Sequence, residues 1–167
     1  MPFDAYMKIT GPNVDGESTA TDMVKYIEIY SFSWGAHNPT TVGPGSSGLS
    51  AGRASISSFN CMKKTETSSA NLFAACCGGT HYAKVEVSMR KATGIDGGQK
   101  VFLKYTFEDV MVESIQWSGS SGGDDTPTES VTLAFAKLSI EYFKQNEETG
   151  TMEKAGNATY DLTKVSK

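Results

Sequence analysis

Charge of either sign is scarce in this sequence, and long apolar runs are absent. Of the 167 residues, 20% are charged and 38% are hydrophobic, both below the usual share in globular domains. No segment approaches the ~20 apolar residues of a membrane span. The opening residues MPFDAYMKIT lack the basic and then apolar pattern of a secretory signal. We therefore expect no membrane insertion and no export by the general route on a signal of its own.

Basic clusters are also missing. The 15 Lys and Arg residues are scattered, the longest basic runs are the pairs Lys63-Lys64 and Arg90-Lys91, and the formal net charge is −4. A nucleic-acid-binding surface needs clustered cations that displace counterions from phosphates. The sequence therefore predicts that nucleic acid is not a partner.

Cysteine and histidine are too few and too poorly spaced for an obvious reactive centre. Three cysteines, two of them adjacent at Cys76-Cys77, do not suggest a disulfide framework and fit synthesis in a reducing cytoplasm. Cys61, Cys77, His37 and His81 lack the paired spacing of a zinc site. The predicted place of Cys77 at a helix C-terminus opposes a thiolate. We expect no metal, no cofactor and no catalytic residue, with a small hydrolase using Cys77 and His81 as an open alternative.

Apolar residues alternate with polar ones along most of the chain, which predicts a mainly β protein. The predicted strands cover residues 3–10, 24–34, 53–62, 84–90, 100–117, 131–143 and 158–162. One short helix is predicted from a cap at Thr67 or Ser68 to Gly78, with Leu72, Phe73 and Cys76 on its apolar side. Phe32, Trp34, Tyr105 and Phe107 are interpreted as core residues.

Two long predicted strands change their apolar face midway. In residues 100–117 the change falls at Glu108-Asp109, and in residues 131–143 it falls at Ala136-Lys137. Neighbouring strands that both change face are typical of bent strands in a small closed barrel or an orthogonal sandwich. A third change of face within residues 24–34 predicts a β-bulge.

Two predicted loops lack the apolar pattern that would let them contribute to a core. Residues 36–52 hold two prolines and four glycines without periodicity, and a structureless loop of this length is usually functional or disordered. Residues 118–128 are rich in Gly and Ser and acidic, without the spacing of a phosphate loop or a calcium site. Exposed loops and strand edges often build symmetric assemblies.

A collinear set of segments resembles a known family. These segments are AYMKITG, GES at residues 16–18, IEIYSFSWG at 27–35, NLFAACCGGTHY, VEVSMRKA, FEDVMVESI, ESVTLAFAKLSIEY and ATYDLTKV. Together they are similar to Hcp, the haemolysin-coregulated protein family, which supplies the tube subunit of the bacterial type VI secretion system. The resemblance runs through essentially the whole chain.

The resemblance implies one domain over residues 1–167, a compact antiparallel β-barrel of two sheets with a side helix. It implies homohexameric rings that stack into a tube inside a contractile sheath, with a spike at the tip and small effectors in the lumen. The subunit also acts as a chaperone. It implies no enzyme activity, and location in the bacterial cytoplasm until firing, then outside or in a target cell. Since the last predicted strand lies close to Lys167, we expect no fused toxin domain.

Two sets of residues follow from this comparison. The long loop after the second strand reaches between rings in the family, which here implies a ring-stacking loop with His37, Asn38, Pro39, Thr40, Val42, Pro44 and Leu49. Because a wet lumen needs hydrophilic side chains, the candidate lumen-facing residues are Ser31, Ser33, Ser114 and Gln116. The same residues facing solvent elsewhere, and a monomeric barrel that binds a ligand among its loops, remain alternatives.

Overall fold

Twelve strands and one helix make up the regular structure in the computed structural model, which describes residues 2–43, 48–93, 98–123 and 125–164. The elements are β1 Asp4–Thr10, β2 Ile27–Ile29, β3 Ser31–Ser33, β4 Ala36–His37, β5 Thr40–Val42, β6 Leu49–Ala51, β7 Ser55–Ile56, β8 Phe59–Lys64, α1 Ser68–Gly78, β9 His81–Ala92, β10 Gln99–Ser118, β11 Thr128–Gln145 and β12 Met152–Asp161. The mainly β fold that the alternation predicts is confirmed.

The main sheet curls into a barrel through a change of partner at Tyr30. Its strand order is β2-β1-β9-β10-β11-β8-β3, antiparallel throughout, with β12 paired to β11. Strands β2 and β3 are separated by Tyr30 alone, whose backbone N–H donates to the carbonyl of Met62 at 2.8 Å. The two ends of the sheet therefore meet. The predicted bulge within residues 24–34 is wrong, because the change of face there marks a strand that leaves β1 and joins β8.

The bend in the long strands lies where the sequence predicts it. Phe107 faces Leu138 across the β10–β11 pair, Val110 faces Phe135, and the change of face falls between these two rows. Asp109 adopts a positive φ of 52° at that point. The partners of Phe107 and Val110 on β9 are both buried as well, so β9 changes face along the same line. The barrel therefore consists of two halves of one continuous sheet, which bends between the Phe107 row and the Val110 row.

Aromatic side chains fill the barrel interior, as the strand spacing predicts. Phe59 stacks against Phe32 with ring centroids 5.8 Å apart and lies 5.0 Å from Phe107. Trp34 meets the edge of Tyr105 at 5.2 Å. Rings at these separations gain about 0.5–1.5 kcal/mol per pair beyond area burial. These contacts fix the position of β3 against β8 and β10.

Helix α1 covers the part of β10 that β9 does not reach. Strand β9 pairs with β10 only as far as Met111, and beyond this point Leu72 and Ala75 of the helix enter the core. Phe73, predicted to be on the buried side, is 49% exposed. The glycine in the left-handed conformation after the helix is Gly79, one residue beyond Gly78, which the sequence predicts for this position.

The segment at residues 36–52 is not structureless as predicted. It holds β4, β5 and β6, which pair as β4 with β7 and β5 with β6. Every described residue from 36 to 53 is exposed. Residues 36–43 and 48–53 form an arm of short strands that stands out from the barrel, and we call these described residues the arm.

Gly16 provides a prediction about stability, because a side chain there would meet backbone. A Cβ at Gly16 would lie 2.4 Å from the carbonyl oxygen of Tyr26. We expect Gly16→Ala to destabilise the fold by about 1–3 kcal/mol through overpacking, measured as a lower Tm by circular dichroism. Gly35→Ala, where nothing lies within 4 Å, is the control and should shift stability by less than about 0.5 kcal/mol. Equal melting of the two variants would contradict the prediction.

Candidate assembly and channel surfaces

The four candidate lumen-facing residues lie on one face of the sheet, opposite the core. The register places Ser33, Asn60, Thr132 and Ser114 in one cross-strand row over β3, β8, β11 and β10. The next row contains Ser31, Met62, Ser130 and Gln116 on the same strands. Since residues directly opposite share a face, the eight side chains form one surface, here called the polar face. The structure brings together all four predicted residues.

Half of the polar face is not identified by the sequence analysis: Asn60, Met62, Ser130 and Thr132. The carboxamide nitrogen of Asn60 donates to the hydroxyls of Ser130 at 3.1 Å and Thr132 at 2.8 Å. Both donor hydrogens of that amide are therefore used, and its carbonyl oxygen remains an acceptor. In the sequence, Asn60 and Met62 alternate with the apolar residues Phe59 and Cys61, which indicates that they face away from the core. Only the strand pairing shows which strands share that face.

Charged residues are concentrated on another surface, the outer side of β9 to β12. One row there alternates in sign: Lys84, Glu108, Lys137 and Asp161. Glu86 lies 2.6 Å from Lys84 and 3.5 Å from Lys104. The Lys84 hydrogen bond and nearby charges hold the pKa of Glu86 below its usual value, against the effect of burial, which is the largest single influence. The charges on this side are thus largely paired with one another.

The arm carries most of the predicted ring-stacking residues. His37, Asn38, Pro39 and Thr40 are exposed at its base. Val42 and Leu49 face each other across β5 and β6 and are 77% and 70% exposed. Pro44 lies outside the described residues. Val42 and Leu49 thus form a small exposed apolar pair at the end of the arm.

Strand β12 leaves a second surface uncovered. It pairs with β11 along one edge, no described strand pairs with its other edge, and residues 153–159 are all exposed. Tyr105, Ile140 and Ala158 form one row on its barrel-facing side, and Leu103, Tyr142 and Gly156 form the next. Tyr142 is 43% exposed. A long free edge with an apolar face is a template for pairing with another chain; we call this surface the β12 wing.

A fully buried ion pair lies beneath α1. Lys63 Nζ is 2.7 Å from Glu129 Oε2, and both side chains are fully buried. Lys63 also donates to Ser69 Oγ at 3.0 Å, and Trp117 Nε1 donates to Glu129 Oε1 at 2.7 Å. Burial by itself raises the pKa of Glu129, but hydrogen bonds from Lys63, Ser69 and Trp117 outweigh it and hold this pKa below 4.5. The pair links β8 and β11 to the helix and has no access to solvent for catalysis.

The residues considered for catalysis, Cys77 and His81, lie at the end of α1 and the start of β9. His81 Nδ1 lies 2.9 Å from Asp109 Oδ1, with both side chains 64% exposed, and Cys77 is exposed at the end of α1. Within residues 2–43, 48–93, 98–123 and 125–164 there is no group of three or more His, Cys, Asp or Glu side chains suited to a metal ion. No helix in these same ranges is long and apolar enough to cross a bilayer.

The cysteines allow a direct test of the hydrolase alternative. Burial raises the pKa of Cys61 to about 12, so its thiol stays protonated and unreactive near neutral pH. We expect iodoacetamide at pH 7.5 to modify exposed Cys77 at the rate of a thiol in an unfolded peptide, and Cys61 only after denaturation. Mass spectrometry of tryptic peptides checks both sites. Modification of Cys77 a hundredfold faster than the peptide would favour the hydrolase.

Comparison with known proteins identifies relatives of this chain. A family described as "Type VI secretion system effector, Hcp" matches residues 6–142. Protein hcp1 of Pseudomonas aeruginosa is 36% identical over 93 residues, 56% of this chain and 56% of that protein, so the match spans little more than half of that relative. A solved type six secretion system protein superposes with TM-score 0.87 at 34% identity, covering 97% of both chains. Hcp1 from Salmonella typhimurium gives TM-score 0.73 at 31% identity, covering 98% of this chain and 97% of that one.

Proposed function

The chain belongs to the Hcp family of the type VI secretion system, and on this premise we propose that it is a structural subunit of the secretion tube. Six copies close into a ring, rings stack, and sheath contraction expels the tube with effectors in its lumen. In this proposal the barrel is a single domain over residues 1–167. The observation that carries it is the β12 wing, whose free edge and apolar face are unpartnered in one copy.

A ring needs contacts that the wing is suited to make. A cyclic assembly uses a heterologous contact, in which one patch meets a different patch on the next copy. The ten residues of β12 extend for about 33 Å and offer backbone groups along one edge together with the side chains of Ile140 and Tyr142. A stable contact buries roughly 800 Å² on each partner. The wing therefore forms part of the contact between two neighbouring copies, called the seam, and the surface next to the wing forms the rest.

The polar face is the proposed wall of the lumen. Ser31, Ser33, Ser114 and Gln116 lie together on it, and a water-filled channel that carries protein cargo requires a hydrophilic wall. The outer side of β9 to β12, with its paired charges, is the proposed outside of the tube, facing the sheath. The subunit acts by shape and surface in this account, so we propose no enzymatic role and no cofactor.

The arm is the proposed contact between stacked rings. We expect Val42→Lys with Leu49→Lys to leave rings intact and prevent their stacking, because two exposed apolar side chains in every subunit become charged at each joint between rings. Electron microscopy of purified protein, with single rings counted against end-to-end stacks, measures the effect. Thr41→Lys with Ser50→Lys is the matched control, since these residues are hydrogen-bonded neighbours on the same two strands. Normal stacks of the Val42/Leu49 variant would contradict this role for the arm.

The partners and location follow from the same proposal. The subunit assembles with itself, the spike, the contractile sheath and small secreted effectors, and it protects cargo as a chaperone. It resides in the bacterial cytoplasm until firing and is then found outside the cell or in the target cell. A monomeric binding module has no use for the exposed wing and arm. A Cys77–His81 hydrolase is opposed by the place of Cys77 in the last turn of α1, where the helix dipole disfavours a thiolate.

A further inference from the structure

The polar face has no charged side chain in either of its two rows, and this neutrality has a consequence for cargo. We infer that the face recognises polypeptide cargo by hydrogen bonds and one thioether contact and not by charge, so that cargo of either net charge is accepted. This inference rests on the proposed function for the place of the face in the tube. The partner it fits is a protein surface with uncharged polar groups around an aliphatic or aromatic side chain.

The neutrality is a property of eight registered positions. The rows contain four serines, one threonine, one asparagine, one glutamine and one methionine. Lys63 and Glu129, next to Met62 and Ser130, point to the buried side and pair with each other. The nearest other charges along the strands are Lys64, in the row beyond Met62, and Glu113, the bulge residue before Ser114. They have opposite signs and lie at different ends of the face. Both lie within the roughly 8–10 Å over which salt screens charges, but their opposite signs offset each other, so the face as a whole does not favour charge of one sign.

Its hydrogen-bonding groups suit varied partners. Each hydroxyl donates one hydrogen bond and accepts others, whereas the carbonyl oxygen of Asn60 only accepts. The two bonds from Asn60 to Ser130 and Thr132 fix that side chain across two strands. The face therefore presents one fixed acceptor among rotatable hydroxyls, and these can pair with donors or acceptors on cargo.

Met62 provides the apolar contact. It is the only side chain of the eight without a strong hydrogen-bonding group, and it is half-buried. An open surface depression of about 440 Å³ lies beside it, with Gln116, Trp117 and Ser130 among its lining residues. A thioether adapts its shape to different apolar groups, which is why methionine is common on surfaces that accept several partners. The geometry thus places one adaptable apolar contact inside a neutral hydrogen-bonding wall.

The first test measures the local potential. Gln116→Cys is made in a chain with Cys76→Ser and Cys77→Ser, and its labelling rates with positive and negative methanethiosulfonate reagents are each divided by the rate of a free peptide thiol. The labelling ratio is the normalised rate of the positive reagent divided by that of the negative reagent. We expect this ratio to lie within about threefold of one in both ~0.01 M and ~1 M salt, where the screening length is ~30 and ~3 Å. Thr149→Cys, in the turn with Glu147 and Glu148, is the control and should favour the positive reagent at low salt. A tenfold preference at Gln116→Cys would overturn the inference.

The second test measures binding to assembled protein. Three fluorescein-labelled 12-residue peptides share one Leu/Ser/Asn centre and carry three flanking Lys, Ser or Glu residues. We expect Kd values within about threefold of each other, unchanged by salt. Met62→Glu should weaken the neutral peptide about tenfold or more and make the Lys peptide bind better than the Glu peptide, whereas Met62→Leu should retain binding. A strong preference for one sign in the wild type, no binding of any peptide, or an unaffected Met62→Glu variant would overturn the inference.

The two proposals fail in different ways. The labelling ratio is a property of a single chain and is measured whatever its oligomeric state. A neutral ratio in protein that never forms rings would contradict the tube and leave the neutral face standing. Rings with a charged labelling ratio would contradict the neutral face and leave the tube standing.

Discussion

Replacing Tyr142 with lysine is expected to convert closed rings into single folded chains. Tyr142 is 43% exposed on the barrel-facing side of the β12 wing, opposite Gly156 of the free-edge strand. A lysine at the seam between two copies would bury an unpaired ammonium at all six contacts, at a cost of several kcal/mol each. Since 1.4 kcal/mol weakens association tenfold, size-exclusion chromatography with light scattering should report the mass of one chain.

A matched substitution separates a seam effect from a general effect of lost apolar surface. Val24 is 59% exposed and precedes β2, and its neighbours Met23 and Tyr26 lie against the outer side of the sheet near Glu86, Lys104 and Glu141, opposite the barrel-facing side of the wing. Val24→Lys should therefore leave the ring intact, and circular dichroism should show that both variants keep the β fold. Rings of unchanged mass for Tyr142→Lys would show that the wing does not form the seam.

Removing Glu129 is expected to give the largest loss of stability among single changes. Glu129→Ala leaves the Lys63 ammonium buried without its counter-charge and the indole N–H of Trp117 without its acceptor. Breaking one side of a buried pair costs about 3–5 kcal/mol, a large part of the 5–15 kcal/mol that typically stabilises a domain. We expect Tm to fall by about 10 °C, measured by differential scanning calorimetry.

Two variants give this prediction its controls. Lys63→Met with Glu129→Leu removes both charges, so most of the lost stability should return. Lys137→Ala breaks a half-exposed pair with Glu108 and should cost less than about 1 kcal/mol. If Glu129→Ala is no worse than Lys137→Ala, the buried pair is not what joins α1 to the sheet.

The same pair predicts a dependence of stability on pH. Because the pKa of Glu129 in the folded protein lies below 4.5, folding favours the ionised carboxylate. Its contribution is complete above about pH 4.5 and is lost as the pH falls through the lower folded pKa. Between pH 6 and 3 the wild type should therefore lose more stability than the Lys63→Met/Glu129→Leu variant.

The bend of the barrel was predictable because the apolar positions in each long strand change from one face of the strand to the other within the sequence itself. Phe107 and Val110 are three residues apart, and so are Phe135 and Leu138, so each strand reveals where it turns without knowledge of its partner. The register then places the two turns opposite each other. Apolar spacing also predicted the aromatic core: Phe107 is fully buried, and Phe32, Trp34 and Tyr105 are partly buried against the core.

Features that depend on pairing were not available from one sequence. The change of face at Tyr30 fits a bulge as well as a change of partner, and only the contact with Met62 decides between them. The arm strands contain few apolar residues and pair away from the core, so no periodicity predicts them. Asn60 and Met62 join the polar face through β11, a long-range pairing that local pattern does not encode.

The ring itself is tested most directly by native mass spectrometry of the wild-type protein at micromolar concentration. The account predicts a dominant species of six chains of 17.9 kDa each, with a central hole in electron micrographs. A species of one chain at every concentration, up to the limit of solubility, would contradict it.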